Sequence, residues 1–201
     1  QQVEAAANTI AAIATPLGQG GLAIIRVSGE NAVTVGDAVF RPPNGADDHL
    51  AKANSHTIHY GHIVHGSQRI DEVMVSVMRA PATFTREDIV EINCHGGMQS
   101  TRAVLDAVLN AGARLALPGE FTKRAFLHGR IDLAQAEAVA DLIHARTDLA
   151  LNAANEQLAG KLSQRINQLR DDTMHVLAHV EAHIDFPDED IEPDTMGGLL
   201  K

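Results

Sequence analysis

From Glu120 to about Ile184 the chain carries almost no Gly or Pro and steps its apolar residues by three and four. Only an α-helix turns that period into one continuous face. Leu162, Ile166, Leu169, Thr173, Val176 and Val180 form such a stripe, and Ala136, Ala140, Ala150, Ala153 and Ala154 supply small residues for close helix packing. Upstream the pattern differs: short runs rich in β-branched residues alternate with glycine turns. The chain therefore reads as α+β, with a mixed-sheet domain over residues 1–118 and an all-α segment over 119–201. Strands are expected at 9–15, 22–28, 55–65, 72–79, 88–94 and 113–117, helices at 31–40 and 98–111, and a hairpin across Gly66 to Arg69. Residues 185–194 hold six acids and two prolines, which end the last helix in a solvated loop.

Composition narrows the function. With 201 residues and 45% apolar content a sizeable core is available, but aromatics make up only 3% and Trp is absent. A stacking platform for single-stranded nucleic acid is disfavoured. So is a nucleic-acid-coating role, because 16 Lys and Arg stand against 26 Asp and Glu, a formal charge of −10. The single Cys94 excludes an internal disulfide and a multi-cysteine zinc site. No leader pattern and no apolar run of about 18 residues is present, so the expectation is a cytoplasmic protein without a membrane partner. Gln1 and Lys201 read as fragment boundaries.

Four groups of residues could carry chemistry. Gly18-x-Gly20-x-x-Ala23 fits a relaxed dinucleotide fingerprint, but that fingerprint needs a helix N-terminus directly after it. Leu22 to Val27 is strand-like, so a tight glycine turn between strands is the plainer reading. There is no Walker loop, since Gly160-Lys161 lacks both the upstream Gly and the following Ser or Thr. On a strand, Glu91, Asn93 and His95 share one face while Cys94 points to the other. Cys94 and His95 thus make a poor nucleophile pair, and Cys94 reads as a small buried hydrophobe. Glu91, between Val90 and Ile92, needs a partner if buried, either an Arg of the protein or a ligand.

The third group is cationic. Arg114, Lys123, Arg124 and Arg130 are opposed only by Glu120, and Arg26 could join them. An anion site and a scatter of surface cations both fit. The fourth is histidine. His56, His59, His62 and His65 alternate faces, and same-face members stand roughly 20 Å apart, so they cannot share an ion. His175, His179 and His183 share a helix face without a further ligand type. No catalytic residue and no metal ligand is assigned.

Four strings, TIAAIATPLGQGGLAIIRVSG, FTREDIVEINCHGG, LPGEFTKRAFLHGRIDLAQAEAVADLI and EAHIDFPDED, resemble in order and spacing the bacterial and organellar tRNA-modification GTPase family MnmE, also called TrmE. The resemblance covers nearly the whole chain. It implies an N-terminal domain similar to tetrahydrofolate-binding domains, which dimerises and binds 5-formyltetrahydrofolate. A helical domain follows, interrupted by a Ras-like G domain. It further implies an FAD-dependent partner of the MnmG (GidA) type and modification of C5 of the wobble uridine of certain tRNAs. The G domain, with its GTP, magnesium and potassium, would begin where this chain ends, so these residues alone should not hydrolyse GTP. The family's folate-contacting positions fall on Arg26, Glu91 and Arg130. The last is often Lys in the family, and Arg keeps the charge while changing reach and hydrogen-bond geometry. Two other readings are an assembly scaffold with a vestigial folate pocket and a standalone one-carbon transferase, for which the chain supplies no clear base.

Overall fold

The computed structural model describes residues 8–45 and 48–185, the His183 side chain aside. Most of the acidic stretch 185–194, and His183 as a ligand candidate, lie outside the described residues. The first compact unit runs to Ile131 and the second starts at Asp132.

The first unit is built on a seven-stranded sheet. Its strands are β1 (Ile10–Ile13), β2 (Ala23–Ser28), β3 (Phe40–Arg41), β4 (Thr57–His65), β5 (Gln68–Met78), β6 (Ile89–Cys94) and β7 (Arg114–Leu115), in the order β3-β4-β5-β6-β2-β1-β7. All neighbours are antiparallel except β1 and β7. Helices α1 (Ala32–Val39) and α2 (Met98–Asn110) pack on the sheet. Strand alternation does the sorting. Ile25, Val27, Val73, Val75, Val77, Val90 and Ile92 are buried with Val33, Val35 and Val39 of α1 and Val104 and Val108 of α2. Each such side chain contributes about 1.5–3 kcal/mol by leaving water. The register places Ile24, Arg26 and Ser28 of β2 beside Asn93, Glu91 and Ile89 of β6 on the opposite face, with Met74, Ser76 and Met78 of β5 next in line.

The hairpin is tighter than the sequence suggests. Its loop is Gly66-Ser67 alone, with Gly66 at φ 61°, and β5 begins at Gln68. A two-residue turn needs a positive φ that glycine takes without strain. Farther back, Gly61 of β4 lies under β3, where an added Cβ would meet the Arg41 carbonyl oxygen and stand 2.6 Å from the Phe40 ring. Phe40 is fully buried and has no room to yield. Gly61→Ala is expected to lower stability by about 1–3 kcal/mol, the usual cost of overpacking. Urea unfolding followed by far-ultraviolet circular dichroism measures it.

The change of periodic pattern places a boundary near Pro118, and the first compact unit takes in the next helix and extends to Ile131. The reason is α3 (Glu120–Leu127), whose Arg124 bonds Glu87 and Asn8 of the sheet domain. In the second unit, α4 (Leu133–His144) opens with a reciprocal cap: the Asp132 side chain accepts from the Gln135 N–H, and Gln135 Oε1 from the Asp132 N–H. Gln135 Nε2 donates to the Leu158 carbonyl at the end of α5 (Asp148–Leu158), and Gln157 Nε2 donates back to Ala134. Gly160, at φ 80°, turns the chain into α6 (Lys161–Asp185). Leu162, Ile166 and Leu169 of the apolar stripe on α6 are exposed. Among the described residues no helix is long and apolar enough to cross a membrane.

Candidate functional site

The β2–β6 register sets Arg26 directly opposite Glu91. Arg26 Nε and Nη2 both reach Glu91 Oε1 at 2.7 Å, a charge-assisted pair. Both bonds fall on the same oxygen, so Glu91 keeps Oε2 for another donor. The side chains are 33% and 21% exposed, sheltered but open to a ligand. The Arg26 guanidinium carbon lies 5.8 Å from the ring centre of Phe121 on α3.

One step along the same face, Ser28 Oγ bonds Thr85 Oγ1 at 2.7 Å and Glu87 Oε2 at 2.8 Å. These bonds draw the 83–87 loop over the end of the sheet. Within it, Arg86 takes φ 58°, a left-handed conformation that costs a non-glycine residue of order 1 kcal/mol or more. Its Nη1 donates to the His128 carbonyl, and His128 Nδ1–H donates to the Thr85 carbonyl. The segment after α3 is thereby fastened to the loop. Arg130 lies on this wall with its guanidinium carbon 5.2 Å from the Phe84 ring centre.

Of the three site residues expected from the sequence, the structure pairs Arg26 and Glu91. It places Arg130 over Phe84, in a loop joined to β2 through Thr85 and Ser28. Phe84 and Phe121 were not singled out by sequence reasoning. Both lie inside the long motifs, but nothing in spacing says that their rings sit beside cations.

Within the basic stretch, two arginines are held by carboxylates. Arg124, 8% exposed, donates Nη1 to Glu87 and Nη2 to Asn8 and Glu120. Arg114 grips both oxygens of Glu120. Hydrogen bonds from Arg114 oppose burial and, with the Leu117 N–H and Arg124, hold the Glu120 carboxyl down at about 2. Arg114 and Arg124 thus share an ion network with Glu120 and Glu87, Arg124 buried and Arg114 partly exposed, and with Lys123 they line a cavity of about 480 Å³. The network was hidden because Glu87 lies 37 positions from Arg124 in sequence.

Cys94 behaves as its strand position predicts. It is buried on the core side, and burial together with the Asp71 charge pushes its thiol up to about 11. His59 bonds His49 at 3.0 Å and Thr57 at 2.8 Å instead of joining its neighbours in a ladder. Among the described residues, no three His, Cys, Asp or Glu side chains come together as a metal site. The Arg26–Glu91 pair offers a carboxylate oxygen with no partner among the described residues, beside the Phe121 ring, and Arg130 over Phe84 is a second cation–ring pair. A carboxylate oxygen beside an aromatic ring suits a flat, N–H-bearing heterocycle.

Comparison with known proteins accounts for both units. Residues 9–130 match the family model described as GTP-binding protein TrmE N-terminus, and residues 133–201 match the MnmE helical domain. Proteins named tRNA modification GTPase MnmE are similar across almost all of this chain. The relative from Geobacillus thermodenitrificans is 58% identical over 196 residues, 96% of this chain and 42% of its own. The one from Lactococcus lactis subsp. cremoris is 57% identical over 195 residues, 96% and 42%. The one from Bacillus subtilis is 54% identical over 191 residues, 94% and 41%. The chain spans about two fifths of the length of these relatives, and their two family models meet where its two compact units divide. It belongs to the TrmE family, of which it carries the N-terminal domain and a helical-domain segment.

Proposed function

We propose that the first unit binds a tetrahydrofolate-type one-carbon donor, 5-formyltetrahydrofolate, through Glu91, Arg26 and Arg130. The observation that carries this is the one-oxygen grip of Arg26 on Glu91, which leaves Oε2 to accept from the amino and ring N–H groups of a pterin. Phe121 and Phe84 add aromatic faces beside the two cations. A bound folate supplies the one-carbon unit; the chain's own residues bind and orient it.

The wider reading follows the relatives. The unit serves as the homodimerising, folate-holding part of a cytoplasmic GTPase that works with an FAD-dependent protein of the MnmG type on C5 of the wobble uridine in tRNA. GTP, magnesium and potassium belong to parts of such a protein beyond these residues. The exposed β4 residues Ile58 and Tyr60 give a second copy an apolar surface to cover. A scaffold with a vestigial pocket is the second reading, favoured by the fact that Arg26 is already partnered by Glu91 and Phe121. Titration calorimetry with 5-formyltetrahydrofolate separates the two. Saturable binding with a stoichiometry of one per chain is expected, and no heat at high micromolar ligand selects the scaffold.

A further inference from the structure

Away from the walled end, the same sheet face continues along β6 to a second polar group. Asp71, with a side chain only 10% exposed, accepts from the Glu72 N–H, the His95 N–H and Ser100 Oγ, each at 2.7–2.8 Å. Those three bonds already fasten the junction between β6 and α2. The His95 ring adds a fourth, from Nδ1 at 2.7 Å, yet the ring itself is 70% exposed. A nearly buried carboxylate thus orients a ring that stands in solvent. With Nδ1–H given to Asp71, the neutral ring presents Nε2 as a hydrogen-bond acceptor.

The surroundings of that ring are fixed. Gly20 N–H donates to the Gly96 carbonyl at 3.2 Å, and a Cβ on Gly96 would come within 2.5 Å of the Gly20 oxygen. This close approach sets the glycine turn against His95. Gly21, Leu22, Tyr60, Met74, Asn93 and His95 line a cleft of about 240 Å³. Between His95 and Glu91 on this face stands Asn93, whose register partners are Ile24 and Met74. Four strand steps span about 13 Å. In an extended tetrahydrofolate a comparable distance separates the pterin from the amide of the benzoylglutamate tail.

We infer that His95 is a second anchor for the ligand held at Glu91: the tail lies along β6 over Ile24 and Met74, and its amide N–H donates to His95 Nε2. This rests on the folate reading above. Asp71 is a positioning residue for the ring. The test is a ligand-truncation cycle by calorimetry, using 5-formyltetrahydrofolate and the tail-less 5-formyl-6-methyltetrahydropterin. His95→Ala should weaken the full ligand about 5–10-fold, the scale of one hydrogen bond, and leave the tail-less one unchanged. His95→Gln, which restores an acceptor, should recover part of the loss. Glu91→Gln should weaken both ligands. Because the ring is exposed, the melting temperature of His95→Ala should match that of the parent. Equal affinity of parent and His95→Ala for the full ligand overturns the inference and leaves the folate site standing. So does an equal loss for both ligands. Failure of the parent to bind either ligand overturns both readings.

Discussion

Replacing Arg124 with Ala is expected to destabilise the first unit by roughly 3–5 kcal/mol, the range for removing one partner from a buried ion network. The guanidinium sits between Glu87 Oε1 at 2.8 Å and Glu120 Oε1 at 3.3 Å, and it also donates to the Asn8 carbonyl at 2.7 Å. Its removal leaves two carboxylates, each under 15% exposed, with only part of their compensation. Glu87 would retain Ser28, and Glu120 would retain Arg114. The loss therefore falls on the anchoring of α3 and the wall around Arg26. Hydrogen exchange should show α3 opening before the sheet, and urea unfolding should give the magnitude. A change below about 1 kcal/mol would mean that the network is solvated and inert, as exposed pairs usually are.

Acid adds a second readout. The folded-state Glu120 carboxyl is depressed to about 2 from an ordinary 4.5. A depressed acid stabilises fully above its ordinary value, and that stabilisation drains away as pH falls toward the folded value. Arg124→Ala removes one of the groups that hold Glu120 down, so acid unfolding should move to higher pH. Glu120→Gln should flatten the stability profile between about 4.5 and 2.

Much of this arrangement was legible in the sequence because it depends on short periods. Alternation along 88–94 assigned Cys94 to the core and Glu91 to the other face, and β6 follows that assignment. The dinucleotide reading failed on its own terms, since β2 starts at Ala23, where a helix was needed. What stayed hidden depends on chain folding over distance. Arg26 and Glu91 are 65 positions apart, and only strand order makes them neighbours. The cations of α3 looked unopposed because their carboxylates come partly from the 83–87 loop. Phe84 and Phe121 carry no period that marks them as ring partners of arginines. The change of pattern near Pro118 marks where the helical part of the sequence begins, and the first compact unit ends at Ile131, where the Asp132 cap starts a new helical stack.

Glu91→Gln should lower affinity for 5-formyltetrahydrofolate about 10–100-fold while barely moving the melting temperature. The affinity term follows from chemistry. A carboxylate oxygen accepting from pterin N–H groups makes charge-assisted bonds worth about 1.5–3 kcal/mol, and the amide substitute offers a weaker acceptor beside a competing donor. The stability term follows from geometry. Arg26 and Glu91 are 33% and 21% exposed, so water replaces the lost partner, and Arg26 keeps its place over Phe121. Light scattering should report an unchanged assembly state, which separates loss of ligand from a change in assembly. Arg130→Lys should cost less, a few-fold, because the charge survives while the guanidinium's contact with the Phe84 ring changes. If Glu91→Gln instead unfolds the sheet, the pair is a structural bolt between β2 and β6. If the variant binds folate as tightly as the parent, the ligand does not use Oε2, and the site must be sought away from this pair.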